Sequence, residues 1–254
     1  MYIKRLERHT PKPQGKAEVQ DLLLRRLPFY PKGIIFDMDG VITDTMSYHF
    51  KAWQKALDVF GIKVNYYDIY LREGQKGIET AMELMKEKKQ EPDIVKAKEM
   101  LKLKEKIFKQ IAKPKLIKGS KKLVKDLKEK GFKLALVTGT ARDEVKHILP
   151  DDLFSLFDIN ITGDEVRMGK PNPEPYLKTL DALKLVSAEC VVLENAPFGI
   201  RSAKAAGLYC IAITTYLSAD YLREADIILN SLDEVDKVIC SSRSATYSSN
   251  NIFN

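Results

Sequence analysis

After Gly119 the chain alternates short apolar runs with amphipathic stretches, and this alternation limits the possible folds more than any other feature of the sequence. Residues 120–130 have the spacing of an amphipathic helix closed by Gly131, and 132–137 read as an apolar strand. The pattern then repeats: helix over 141–149, short strand over 157–162, helix over 173–183 with a proline near its start, strand over 190–193. A helix over 198–206 ended by Gly207, a strand over 209–214 and a last short strand over 227–229 follow. Strands separated by helices run parallel, and the helices cover both faces of the sheet they form. The chain is therefore predicted to be an α/β protein.

The run Gly33-Ile34-Ile35-Phe36 supplies an earlier strand, and from Thr45 to about Lys113 the pattern is helical nearly throughout. Tyr48, Trp53, Leu57 and Phe60 are spaced to share a helix face, and Glu91-Pro92 marks a break between helices over 78–88 and 94–111. The simplest organisation is a core of residues 33–45 and 119–240 with a helical cap of residues 46–118 inserted after its first strand. Residues 1–32, with four prolines around a helix-like stretch at 17–27, read as an N-terminal extension. The Ser- and Asn-rich residues 241–254 read as a disordered tail.

With 254 residues and 44% hydrophobic content the chain can bury substantial cores. No apolar run is long enough to span a bilayer, so no membrane partner is expected. Residues 1–8 lack the apolar centre of a signal peptide, and Cys190, Cys210 and Cys240 suggest neither a metal pair nor a disulfide framework. A cytoplasmic protein, monomeric or weakly dimeric, is the expectation. Much of the excess positive charge, +7 overall, lies in the helical stretch 86–133 and fits a solvated helix face. No zinc-finger spacing or RNP-type aromatic motif accompanies it, so specific nucleic-acid binding is not expected. A positive field does favour phosphorylated metabolites.

The chemistry-bearing residues fall where strands end, and ligands of open parallel sheets bind beyond those ends. The first strand runs into Asp37-Met38-Asp39-Gly40, two carboxylates spaced to face one way along an extended backbone. Such neighbours repel and raise each other's pKa unless a cation or a division of labour offsets the conflict. Thr138-Gly139-Thr140 ends the strand at 132–137, Glu194-Asn195 ends the one at 190–193, and Gly169-Lys170-Pro171-Asn172-Pro173 precedes a helix. Carboxylates, hydroxyls and a lysine gathered in one place suit phosphoryl transfer with Mg²⁺, which takes oxygen ligands. Taken singly, each element has a plainer reading: Asp37, Asp39, Thr138 and Asn195 could cap helices, and Lys170 could be a surface lysine.

In their order, these motifs resemble those of the haloacid dehalogenase superfamily: Asp37-Met38-Asp39-Gly40-Val41 the first, Thr138 the second, Lys170 the third, Glu194-Asn195 the fourth. The resemblance covers about residues 33–232. The stretches GKPNPEPY (169–176) and ENAPFGIRSAKAAG (194–207) are similar to the branch holding β-phosphoglucomutase and small sugar-phosphate phosphatases. It implies a Rossmann-like parallel sheet core with an inserted α-helical cap, and an Mg²⁺-dependent phosphatase acting on a small phosphorylated metabolite, a sugar phosphate, through an aspartyl-phosphate. Asp37 would be the nucleophile and Asp39 the general acid and base, its backbone carbonyl also touching the metal. Thr138 and Gly139 would bind the transferring phosphate, Lys170 would neutralise Asp37 and phosphate, and Glu194 and Asn195 would complete a metal site with Asp37 and Asp39. The family commonly has Asp where this chain has Asn195; an amide oxygen brings no charge, so weaker Mg²⁺ affinity is expected.

His49, in Tyr48-His49-Phe50-Lys51-Ala52-Trp53, is either structural or, as the resemblance implies, close to substrate. Trp53 reads as core, His9 and His147 as surface residues. The loop Arg72-Glu73-Gly74-Gln75-Lys76-Gly77 is either a helix connection or a substrate loop, with Lys76 as a candidate phosphate ligand. A lysine there, where a mutase carries an arginine, favours phosphatase over the alternative, β-phosphoglucomutase, because lysine cannot bind phosphate bidentately. A non-catalytic phosphometabolite-binding protein is the second alternative.

Overall fold

The computed structural model describes residues 27–241. The helix-like stretch at 17–27, apart from Leu27, and the tail, apart from Ser241, fall outside these residues, as does His9. By contacts, the chain divides into a unit of residues 1–30 and 237–254 and a unit of residues 31–236. The larger unit, which carries the candidate site residues, is described below.

Six parallel strands form one sheet: β1 (Gly33–Phe36), β2 (Lys133–Val137), β3 (Ile159–Ile161), β4 (Cys190–Glu194), β5 (Tyr209–Ile213) and β6 (Ile227–Leu229), in the order β3-β2-β1-β4-β5-β6. β1 is central. Gly33 pairs with Lys133 on one side and Cys190 on the other, so Asp37, Thr138 and Asn195, each just past its strand, leave the sheet at one edge. Alternate residues face opposite ways. Ile35, Ala135 and Val192 pack with Tyr176, Leu180 and Ile200 on one face, and Phe36 meets Phe157 edge-on elsewhere in the core, ring centroids 5.8 Å apart. Among the described residues no helix is long and apolar enough to cross a membrane.

Between β1 and β2 run α1 (Met46–Asp58), α2 (Tyr66–Tyr70), α3 (Gly77–Glu87) and α4 (Ile94–Ile111). They bury a core of their own, including Trp53, Leu57, Ile69, Leu84, Met85 and Met100. Asn65 and Asp68 form a reciprocal capping box on α2. The Asp93 carboxylate accepts from the Val95 and Lys96 amides and starts α4 just after the break expected at Pro92. The two chain segments entering and leaving this block meet: the Asp44 amide donates to Lys115 O (2.8 Å) and the Ile117 amide to Ile42 O (2.9 Å). After the block come α5 (Ser120–Glu129), α6 (Arg142–Ile148), the short α7 (Asp151–Phe154), α8 (Glu174–Leu183), α9 (Pro197–Ala205) and α10 (Val235–Ser241). The apolar patterns did not indicate α7 or α10; the four residues of α7 are too few to establish a periodicity.

Candidate active site

Lys170 is the centre of the site. It is buried, with its ammonium 2.6 Å from Asp37 Oδ1, 2.7 Å from Glu194 Oε1 and 3.2 Å from the Val137 carbonyl. Burial works against its charge, but Asp37 and Glu194 together hold its pKa above the ordinary lysine range. Tyr176, on α8, donates to the same Glu194 oxygen at 2.7 Å, and the other Glu194 oxygen accepts from the Asn195 amide at 3.0 Å. Gly199 makes room for this carboxylate, since a Cβ there would lie 1.9 Å from Glu194 Oε1. Glu194 thus holds Lys170, and its carboxylate, with lone pairs beyond these three hydrogen bonds, stays a candidate metal ligand.

The two aspartates have opposite environments. Asp37 is buried, and burial pushes its pKa up to about 8, with Lys170 opposing and Glu194 adding to the shift. Its Oδ2 is buried without a hydrogen-bond partner. Burial acts on Asp39 too, but there His49 and the hydroxyls of Thr45 and Thr140 prevail and hold it down at about 2. His49 Nε2 lies 3.2 Å from Asp39 Oδ1, which also accepts from Thr43 (3.3 Å) and Thr45; Oδ2 accepts from Thr140 (2.9 Å) and Thr138 (3.4 Å). Burial, far more than Asp39, raises the Asp37 pKa, and the ring of donors outweighs burial at Asp39. His49 is fixed by stacking on Phe108, centroids 4.2 Å apart.

Thr138 is where the second motif was expected, but its hydroxyl is already engaged with Asp39 and with the Thr140 amide (3.1 Å). Gly139 touches the helical block: a Cβ there would lie 2.5 Å from Gly74 O. Lys76 lines the cleft, yet its ammonium donates to the carbonyls of Val166 (2.7 Å) and Arg167 (3.2 Å), so it fastens the loop at 73–77 to the core. Trp53 is buried and His147 exposed, as expected. The sequence reading gave no role to Thr43, Thr45, Thr140, Tyr176 or Glu73. Thr45 and Thr140 lie near recognisable motifs, but only the folded chain shows that their hydroxyls converge on Asp39. Glu73, in the loop, has its pKa driven well above the carboxylate range by burial and by Asp39 and Asp37.

The donor set fits Mg²⁺. Two buried oxygens lack partners here, Asp37 Oδ2 and Asn195 Oδ1, and they project from the ends of adjacent strands. Both are hard donors of the kind this ion takes. The Asn195 amide group is oriented by donating from Nδ2 to Asp39 O at 3.2 Å. Among the described residues no group of three or more His, Cys, Asp or Glu side chains is arranged to hold a metal.

Comparison with known proteins gives a consistent result. A phosphorylated carbohydrates phosphatase of Thermotoga maritima is 32% identical over 70% of this chain and 82% of its own. Validoxylamine A 7'-phosphate phosphatase of Streptomyces hygroscopicus subsp. limoneus is 38% identical over 47% of this chain, a match spanning 56% of that protein. A solved structure from Bacteroides vulgatus, provisionally named a β-phosphoglucomutase, superposes with a TM-score of 0.76 at 28% identity, covering 90% of this chain and 96% of that one. The sequence profile of the haloacid dehalogenase-like hydrolases matches residues 34–213, and with its parallel sheet and four ordered motifs the chain belongs to that family.

Proposed function

We propose that the protein is an Mg²⁺-dependent phosphatase that transfers the phosphoryl group of a small sugar phosphate to Asp37 and then to water. One observation carries this reading: Asp37 stands past the end of β1 with Lys170 2.6 Å from one carboxylate oxygen and no protein partner on the other. The phosphatases among its relatives and the family membership support it.

In the first half-reaction an Asp37 oxygen bonds to phosphorus, the bond from phosphorus to the sugar oxygen breaks, and a proton passes from Asp39 to that oxygen. In the second, a water oxygen bonds to phosphorus, its proton passes to Asp39, and the bond from phosphorus to Asp37 breaks, leaving inorganic phosphate and free Asp37. Lys170 stays charged throughout and offsets charge on the phosphoryl oxygens. Thr45, Thr140 and His49 fix the Asp39 carboxyl against the leaving oxygen. In the resting site they hold its pKa down at about 2. Bound at Asp37 and Asn195, Mg²⁺ would supply positive charge that keeps Asp37 ionised and offsets the phosphate. A cytoplasmic setting is part of this reading, and Cys190 and Cys210, buried without a disulfide, fit it.

The test is phosphate release from a panel of sugar phosphates with Mg²⁺ and with chelator. The reading expects metal-dependent release that Asp37→Asn abolishes. Isomerised sugar phosphate with little free phosphate would instead indicate a mutase, and ligand binding without turnover a binding protein.

A further inference from the structure

Two buried charges have no part in the reaction above. Lys104, on α4, has its ammonium 3.3 and 3.1 Å from the two carboxylate oxygens of Glu144, on α6. The residues are 5% and 2% exposed, and the pair joins the helical block to the core. One helical turn further along each element, a second contact repeats the match. Phe108 of α4 and Ile148 of α6 pack in one buried cluster with Ala52 of α1. Residues four apart share a helix face, so the same two faces meet twice, once by charge and once by apolar packing. Phe108 also reaches the site. Its ring lies 4.8 Å from the Lys104 ammonium and stacks on His49 with centroids 4.2 Å apart. His49 Nε2 is 3.2 Å from Asp39 Oδ1. A continuous series of contacts therefore runs from Glu144 through Lys104, Phe108 and His49 to the carboxyl group of Asp39.

We infer that Lys104 and Glu144 are positioning residues for Asp39: their pairing fixes the register of α4 on α6, and with it the place of Phe108 and the angle at which His49 meets the Asp39 carboxyl group. The inference rests on the phosphatase reading, which gives Asp39 its proton-transfer role. Stability alone does not account for the pair. Taking two charges out of water can cost more than their attraction returns, and apolar side chains of similar volume would hold the two helices together as well. What the pair adds is one preferred register, because an ammonium held by both oxygens of a carboxylate cannot slide as an apolar contact can. Lys104 lines the cleft beside His49, yet its ammonium is spent on Glu144. A misplacement of about 1 Å at a catalytic group can cost on the order of 100-fold in rate, so a contact this far from phosphorus still bears on turnover.

The test compares wild type with the double variant Lys104→Met, Glu144→Leu, which removes both charges so that neither is left buried and unpaired. Two readouts are taken. The first is the set of His49 ring signals in NMR of histidine-labelled protein; the chain has 3 histidines, and a His49→Asn variant assigns the right one. The second is phosphate release with Mg²⁺ from a sugar phosphate that wild type hydrolyses. The double variant should keep a melting temperature near that of wild type and show displaced His49 signals. Its kcat should fall roughly tenfold or more with KM unchanged, as when an interaction made in the transition state is lost. Unchanged His49 signals, an unchanged kcat, or a loss that falls on KM, which would make Lys104 a substrate ligand, would each overturn the inference. Should the double variant fail to fold, Glu144→Gln, which keeps the shape and an acceptor for Lys104, is read in the same way: the same two changes are expected in smaller degree, and the absence of either overturns the inference. If wild type releases no phosphate from any sugar phosphate, the phosphatase reading fails by itself, and the His49 signals still decide whether the pair positions His49.

Discussion

Lys170 holds two buried carboxylates at once, Asp37 and Glu194, and no neutral side chain can replace it without cost. Lys170→Met leaves both uncompensated and is expected to destabilise the protein by about 3–5 kcal/mol in urea unfolding, besides abolishing turnover. Unchanged stability would mean that the carboxylates find another counter-charge. Asn195 gives a second prediction. Asn195→Asp adds a charge to the metal site and should tighten Mg²⁺ binding by roughly tenfold, read as the metal concentration that raises the melting temperature. No change would show that Asn195 Oδ1 does not face the ion. Both residues were legible in the sequence because they sit inside ordered motifs. The ring of hydroxyls on Asp39 was not, since Thr45 lies six positions from it and Thr140 reaches it from another strand, and only folding joins them.

The loop at 73–77 and the strand-end turn at 138–140 are in contact along their backbones. A Cβ at Gly139 would lie 2.5 Å from Gly74 O and 2.9 Å from Gln75 O, and backbone atoms cannot swing aside as a side chain can. Gly139→Ala should therefore push the loop off the site and lower kcat/KM by about tenfold or more, with a small change in melting temperature. A large loss of stability with normal turnover of the folded fraction would contradict this. The strands and the long helices could be read from their apolar periods. The position of Lys76 could not, because periodicity cannot say that a loop lysine turns to the carbonyls of Val166 and Arg167 instead of into the cleft.

Across the larger unit, carboxylates that receive hydrogen bonds join elements distant in sequence. Asp158 accepts from Lys128 (2.6 Å) and from the Leu134 amide (2.8 Å), tying the segment before β3 to α5 and β2. Partial burial would raise the pKa of Asp158, Asp164 and Glu165, but these hydrogen bonds and those from Thr162 and Arg142 hold all three below their usual values. A depressed folded-state pKa gives stability that is fully present above the unfolded value and is lost as pH falls through the folded one. These groups should therefore leave the melting temperature level down to about pH 5 and lower it below about pH 4, and Asp158→Asn should reduce that acid slope. An identical slope in wild type and variant would remove Asp158 from the account. The α/β architecture with its helical insertion was readable from the alternation of patterns, whereas the contacts that close the insertion over the core depend on backbone approaches that leave no mark in composition. The central claim, that phosphate passes through Asp37, is tested most directly by trapping. Acid-quenched wild-type protein, caught during turnover of a sugar phosphate and reduced with borohydride, should yield a peptide in which Asp37 has become homoserine. Phosphate release with no conversion at Asp37, or conversion at a different carboxylate, would contradict it.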